Sequence, residues 1–289
     1  MKYSGWLLYS KKDAVQNEAY IQWFIEEAGQ KDMSLRLIFR EDLTIGIASN
    51  QRTVLYNKKQ VKLPDFAVIR TIEPLLSLHL EALGVPVFNS SRIAVICNNK
   101  ALTHHHINSL GIPMVDTFFL KTDNLPSQPP ITYPLVVKEA LGRGGKQVYL
   151  IRNQAEWGKR KSAIAATDIV IQACNVSLGK DVRVFVVGKE IVGAVIRESN
   201  TDFRANYKLG GSAKWYSLKP EETAIINKIV QHFEFDMVGI DFLLDKNGKL
   251  LFNEIEDVVG SRTLSAVSDI NILEKYTEHI KQQISTKQI

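Results

Sequence analysis

Period-two alternation of apolar and polar residues dominates the carboxyl-terminal part of the chain. Asp181-Val182-Arg183-Val184-Phe185-Val186-Val187 turns at Gly188-Lys189 into residues 191–197, and both runs read as strands. Residues 238–244 and 250–256 flank Asn247-Gly248, the pair preferred in a two-residue type I′ hairpin turn. That turn sets a register in which Lys246 faces Lys249, Leu244 faces Leu251 and Asp241 falls opposite Glu254. Alternation then puts Glu256 on the same face, opposite Gly239, so three carboxylates converge beside open space. Like charges opposed across a sheet repel. A hard divalent cation with oxygen ligands, Mg²⁺ in particular, would neutralise Asp241, Glu254 and Glu256. A solvated hairpin face could carry the same acids, but the flanking residues are apolar, and buried carboxylates without partners are costly.

Near the amino-terminal end the pattern changes to strands alternating with helical periods, the mark of an α/β layer with a parallel sheet. Strands are expected at residues 6–9, 35–39, 66–70 and 85–88, with helices at 14–28, closed by Gly29, and from Pro74 to Gly84. Residues 53–56 and 60–62 read as a small hairpin around Asn57-Lys58-Lys59. Arg70 ends its strand, where open α/β sheets bind ligands; a surface-exposed arginine is the other reading.

Asn98 or Asn99 caps a helix from Lys100 to Leu110, which Gly111-Ile112-Pro113 ends. His104, His105 and His106 in that helix point in different directions, so they cannot chelate one ion together and read as mostly solvated. Residues 116–120 are a strand and 124–130 a loop. A further strand, 133–138, leads into Gly142-Arg143-Gly144-Gly145-Lys146 and the strand 147–151. The glycine N–H groups with Lys138, Arg143 and Lys146 would cradle phosphates, or the segment is an ordinary hairpin turn. Strand, glycine-rich turn, strand is neither a P-loop nor a dinucleotide fingerprint. Residues 169–174 form an apolar strand, and the long polar stretch from Ser199 to Tyr216 is of the kind that is functional or mobile. Pro220 starts a helix with an apolar stripe of Ile225, Ile226, Ile229, Val230 and Phe233, expected to pack near the carboxylate hairpin, and a last amphipathic helix covers 270–284.

Composition narrows the classes. A chain of 289 residues, 45% hydrophobic and 23% charged, is ordinary for a globular protein and can fill two domains or one with subdomains. No apolar run nears the ~20 residues of a membrane span. The stretch before Lys11-Lys12-Asp13 is too short for a signal peptide, so a cytoplasmic protein without membrane contact is expected. The net charge of +5 comes without a long basic run, which suits anionic small molecules at least as well as nucleic acid. Cys97 and Cys174 have neither metal-ligand spacing nor a disulfide framework and read as buried free thiols. A homo-oligomer is compatible with the sequence.

Together these segments resemble the ATP-grasp superfamily, most closely its RimK-type branch of amino-acid ligases, typified by ribosomal protein S6 glutamate ligase. The resemblance covers nearly the whole chain and is strongest from Asn98 to Arg262. Lys100 and Lys138 match the family's two nucleotide-binding lysines, with Gly142, Arg143, Gly144 and Gly145 as its glycine-rich loop. Gln172-Ala173-Cys174 falls at the hinge whose backbone meets adenine, although an acidic and an aromatic residue more often follow the glutamine. Asp181 and Arg183, and Arg204-Ala205-Asn206 with the preceding Asp202-Phe203, match the two segments that line the nucleotide and the transferred phosphate. Asp241, Glu254 and Glu256 occupy the metal positions, with Glu256 where the family usually has Asn. Asp257-Val258-Val259-Gly260-Ser261-Arg262 replaces a small Ser-Pro-Gly turn that normally helps receive the acceptor. Arg262 would pair with a substrate carboxylate there, or bond across the loop.

The resemblance implies an α/β (α+β) chain: a Rossmann-like pre-ATP-grasp domain over 1–95, a central subdomain with the glycine-rich loop over 96–172, and a carboxyl-terminal subdomain with the metal site over 173–289. It implies ATP and two Mg²⁺ ions, with Mn²⁺ as an alternative, and carboxylate and amine partners such as an amino acid, peptide or metabolite. The implied reaction activates a carboxylate as an acyl phosphate, which an amine then attacks, with glutamate as a candidate substrate. Arg183 and Arg204 would stabilise charge on the phosphate and the developing oxyanion. A kinase on the same fold and a nucleotide-binding regulator without turnover are the competing classes. Loss of metal ligands would mark the latter, and acids stand at every such position.

Overall fold

The computed structural model describes residues 2–142, 144, 147–205 and 211–286. The chain begins with β1 (Tyr3–Tyr9), α1 (Lys11–Gln16), α2 (Glu18–Gln30), β2 (Met33–Phe39), β3 (Leu43–Ala48), β4 (Gln51–Tyr56), β5 (Lys59–Gln60), β6 (Phe66–Ile69), α3 (Pro74–Glu81) and β7 (Val87–Phe88). A parallel sheet has the order β2-β1-β6-β7. Alternation along β1 sends Leu7 toward Phe24 of α2 and Leu8 toward Leu76 of α3, so helices cover both faces. The helix expected at 14–28 is divided at Asn17, whose backbone leaves the helical region with φ −122 and ψ 21, and its second part runs past Gly29 to Gln30. The expected small hairpin is part of a three-stranded meander, β3-β4-β5. Its first strand is largely half-exposed and lacks a clean alternation, which hid it from the pattern.

Then follow α4 (Ser91–Cys97), α5 (Lys100–Ser109), β8 (Thr117–Lys121), β9 (Leu135–Glu139), β10 (Val148–Ile151), α6 (Gln154–Lys161) and β11 (Asp168–Ala173). The strands form an antiparallel sheet in the order β10-β9-β11-β8. Leu135, Val137, Ile169 and Ile171 pack around the fully buried Trp157 of α6. Asn99 is the residue that caps α5, its side chain accepting from the Ala101 and Leu102 amides. One histidine of the triplet departs from the solvated expectation. His104 is buried; Nδ1 donates to the Lys100 carbonyl at 2.7 Å and Nε2 accepts from the Gln172 amide at 3.0 Å. Burial lowers its pKa to about 4, which keeps it neutral.

The last part contains β12 (Val176–Val187), β13 (Glu190–Glu198), β14 (Ser212–Trp215), α7 (Pro220–His232), β15 (Met237–Asp245), β16 (Leu250–Glu256), α8 (Arg262–Ser265) and α9 (Ile272–Thr286). Its antiparallel sheet has the order β14-β13-β12-β15-β16, and β14 lies inside the stretch read as one long loop. Val182, Val184, Ile240 and Phe242 face α7 and its Ile226, Ile229 and Val230. Phe185 and Val187, on the other face, share a core with Tyr276 and Ile280 of α9 and with Phe24 of α2, whose ring centroid lies 5.6 Å from that of Tyr276. The odd-numbered face of β12 is therefore apolar toward α9 and charged, at Asp181 and Arg183, toward its other end.

The hairpin turn differs from the two-residue expectation. Asp245 N donates to Lys249 O at 3.0 Å, which leaves a three-residue loop, and of its residues only Gly248 has positive φ, at +78. The Asp245 carboxylate accepts from the Asn247 and Lys249 amides at 2.8 Å and favours this turn. Leu244 consequently faces Leu250. A bulge between Asp241 and Phe242 then shifts the register back, so Asp241 faces Glu254 and Gly239 faces Glu256 as the sequence implied. Two offsets cancel, and Asn253 is the extra residue.

Candidate active site

One cavity of about 340 Å³ is lined from several sheets. From β15 and β16 come Asp241, Glu254 and Glu256, each offering a carboxylate oxygen within 4.8 Å of the others. The start of α5 and β9 supply Lys100 and Lys138, and the turn after β9 supplies Gly142 and Gly144. Gln172, Ala173 and Cys174 line it at the end of β11, Asp181 and Arg183 from β12, and Arg204 and Ala205 from the segment after β13. Of the residues singled out from the sequence as site candidates, the described ones line this one cavity except Arg70 and Asp202; Arg143, Gly145 and Asn206 lie outside the described residues, as does Lys146.

The charges interlock. Arg183 grips buried Asp241 with two bonds, Nε to Oδ1 at 2.7 Å and Nη2 to Oδ2 at 2.6 Å, and reaches Glu256 at 2.8 Å through Nη1. Arg197 grips Asp181 in the same forked way at 2.6 and 2.7 Å and donates to Asp241 at 2.9 Å. Burial alone would raise the Asp241 pKa, but the two guanidiniums outweigh it and hold it at about 2, whereas burial pushes Asp181 up. Lys100 Nζ donates to the Gly142 carbonyl at 2.6 Å and lies 3.4 Å from Glu254, which Lys100 and Lys138 hold below the usual glutamate range against its burial. Lys138 Nζ donates to Asn253 Oδ1 at 2.7 Å, and burial lowers its pKa to about 8. Arg204 is folded back on its own segment, with Nε and Nη2 on Asp202 at 2.9 and 2.6 Å.

Asp181, Asp241, Glu254 and Glu256 are thus matched by Lys100, Lys138, Arg183 and Arg197. The trio's all-oxygen donor set fits a hard divalent cation. Positive charge added there is balanced when a polyphosphate enters beside the lysines, so metal and nucleotide together preserve neutrality.

Arg197 and Asn253 were not singled out from the sequence as site residues. Arg197 pairs directly with Asp181 across the β12–β13 hairpin, so the strand register could have found it. Asn253 could not have been found that way, because only the bulge brings it beside the Lys138 ammonium. Arg70 is buried, so the exposed reading fails; its Nη2 donates to the Val259 carbonyl at 2.7 Å. Arg262, exposed at the cavity rim, reaches the α1–α2 junction, donating to Gln16 O at 3.0 Å and Asn17 Oδ1 at 3.3 Å. Cys97 is buried and Cys174 half-buried, both as free thiols. Among the described residues no helix is long and apolar enough to cross a membrane.

Fold and cavity together define an ATP-grasp enzyme, an ADP-forming ligase that joins a carboxylate to an amine. The chain belongs to the RimK-like ATP-grasp domain family, which matches residues 79–280. It is 30% identical over 278 residues to the glutamate–LysW ligase ArgX of Sulfurisphaera tokodaii, covering 86% of this chain and 97% of that protein. D-alanyl-alanine synthetase A from Vibrio cholerae superposes with a TM-score of 0.75 at 14% identity, over 98% of this chain and 99% of that one. The ATP-grasp ligase PsnB, complexed with a phosphomimetic variant of a minimal precursor, Mg and ADP, gives a TM-score of 0.68 at 14% identity over 97% and 98% of the chains.

Proposed function

We propose that this cavity binds Mg²⁺-ATP and a carboxylate substrate, forms an acyl phosphate, and passes the acyl group to an amine with release of ADP and phosphate. The observation that carries the reading is the meeting of three carboxylates, two lysines and the turn after β9 around one cavity. Lys100 and Lys138 hold the phosphates. Gln172 to Cys174 hold the base, where the buried Gln172 Oε1 has no partner among the described residues. Two Mg²⁺ ions, or Mn²⁺ in their place, bound by Asp241, Glu254 and Glu256 would neutralise the phosphate charge and help align the γ-phosphoryl group.

The substrate carboxylate oxygen attacks the γ-phosphorus and the bond to ADP breaks. The amine nitrogen then attacks the acyl carbon, phosphate leaves, and the ammonium proton is lost. Arg183, and Arg204 once it leaves Asp202, stabilise the transferring phosphoryl group and the oxyanion. No protein nucleophile is needed. The segment 199–205 is tied to β12 through Gly179, which exchanges backbone bonds of 2.8 Å with Ser199 and Phe203, and over bound ATP it would keep water from the acyl phosphate. Glutamate is the amino acid proposed, added to a peptide or metabolite, because the relative ArgX is a glutamate–LysW ligase.

Purified protein with Mg²⁺-ATP, amino acids and short peptides, with and without hydroxylamine, is to be read by mass spectrometry. A hydroxamate or condensation product supports the reading and names the substrate. ADP with a stable phosphorylated product would replace it with a kinase, and nucleotide binding without ADP release with a non-catalytic protein.

A further inference from the structure

One member of the histidine triplet in α5 is enclosed by the fold and has no part in the reaction. His104 lies edge-on to the rings of Phe119 and Phe252, whose centroids are 6.4 and 5.4 Å from its own. Its two nitrogens have fixed roles. The Lys100 carbonyl can only accept, so Nδ1 carries the proton, and Nε2 of the neutral ring is left to accept. The group 3.0 Å from Nε2 is therefore the NH2 of Gln172 and not its carbonyl. Thr117, opposite Gln172 on β8, repeats the argument: its Oγ1 donates to the Val115 carbonyl at 2.8 Å and accepts from the same NH2 at 3.1 Å. Two committed acceptors thus hold the amide in one orientation. Turned over, it would set its oxygen against both of them.

That orientation leaves Oε1 over, an acceptor buried without a partner among the described residues, on a side chain that lines the cavity. Such an atom is costly, and a donor that enters the cavity offsets the cost. The wall beside it is apolar. Val136, paired with Gln172 across the sheet, lines the same cavity as Val148 and Leu243, which suits a flat ring better than a phosphate. We propose that His104 and Thr117 are positioning residues: by fixing the Gln172 amide they make this end of the cavity select a purine with an amino group at C6 over one with an oxygen there. The assignment rests on the reading that a nucleotide binds with its base at Gln172 to Cys174. An adenine 6-amino group donates to Oε1, whereas the 6-oxygen of hypoxanthine or guanine brings a second acceptor against it, and the amide cannot turn to meet that oxygen.

The test titrates the full chain by calorimetry with Mg²⁺-ADP and with Mg²⁺-IDP, its hypoxanthine analogue, and reads the ratio of the two affinities. The wild type is expected to favour ADP by about tenfold or more, the value of one hydrogen bond gained in place of an opposed acceptor. His104→Phe with Thr117→Val keeps the shapes, removes both acceptors and is expected to cut the ratio about tenfold; His104→Gln with Thr117→Val returns one acceptor and should restore part of it. Gln172→Leu should cut the ratio as far, and adding Thr117→Val to it should change the ratio no further. A packing role alone would weaken both nucleotides alike and leave the ratio standing. Equal binding of the two by the wild type, or a ratio that survives in the His104→Phe, Thr117→Val variant or in Gln172→Leu, overturns the proposal and leaves nucleotide binding intact. Should the double variant not fold, Thr117→Val decides, since it must lower the ratio in the wild type and not in Gln172→Leu. Binding of neither nucleotide by the wild type overturns the nucleotide reading as well.

Discussion

Lys138 offers a quantitative prediction because its charge is held in a buried place without a full counter-charge. Burial lowers its pKa from 10.5 to about 8, with Glu254 and Asp241 opposing the shift and Lys100 adding to it. The gap corresponds to roughly 3 kcal/mol, at 1.36 kcal/mol for each factor of ten. A bound polyphosphate restores the ordinary value, so above pH 8 nucleotide binding must take up a proton. ADP affinity measured in EDTA, where no metal changes the field at Lys138, is expected to fall about tenfold between pH 7 and pH 9. Calorimetry in buffers of different ionisation enthalpy should find proton uptake of about 0.1 per nucleotide at pH 7 and about 0.9 at pH 9. In Lys138→Met both the uptake and the loss of affinity should vanish. A flat wild-type profile, or the same uptake in the variant, refutes the placement of Lys138 on phosphate. Stability of the ligand-free protein has the opposite sign: the unfolded chain holds the Lys138 proton between pH 8 and 10.5, so this term favours folding as pH rises through that window.

Other substitutions test the acids and the close packing beneath them. Glu254→Ala is expected to abolish ADP formation while ADP affinity in EDTA persists; turnover in that variant would remove Glu254 from the metal site. Asp241→Asn leaves Arg183 and Arg197 buried around a neutral group, and urea unfolding should show a loss of about 3–5 kcal/mol. A loss below about 1 kcal/mol would mean that Glu256 and Asp181, which the two arginines also hold, suffice for them without Asp241. Because Asp241 is held at about 2, its contribution should be full above its ordinary value of 3.8 and disappear only as pH falls through about 2. Gly239→Ala would put a Cβ 2.6 Å from Val259 Cγ2 and 3.4 Å from Arg183 Cδ, costing about 1–3 kcal/mol in unfolding experiments. An unchanged midpoint would show that the loop at Val259 yields freely.

Periodicity by itself determined the strands around Asp181, Asp241 and Glu254, because alternation at a buried sheet leaves few registers that keep apolar residues on the α7 side. The same argument reached the parallel strands at the amino-terminal end and the helix at Lys100, and the candidate ligands followed from residue chemistry on those strands. Local pattern was weaker where an element is short, half-exposed or interrupted, as at β3 and at the break of Asn17. It could not foresee that His104 and Arg70 are buried, since His104 sits in a run of histidines and Arg70 at the end of its apolar strand, and each is enclosed by elements distant in sequence: His104 against Gln172 and Phe252, Arg70 against Tyr20 and Val259. Tertiary structure alone decided the bulge that offsets the three-residue turn and brings Asn253 to Lys138. It also decided the forked bonds that neutralise Asp241 and the contact of Arg262 with the α1–α2 junction. These depend on where separate sheets come to rest against one another, and a charge finds its counter-charge only after that packing has set the distances.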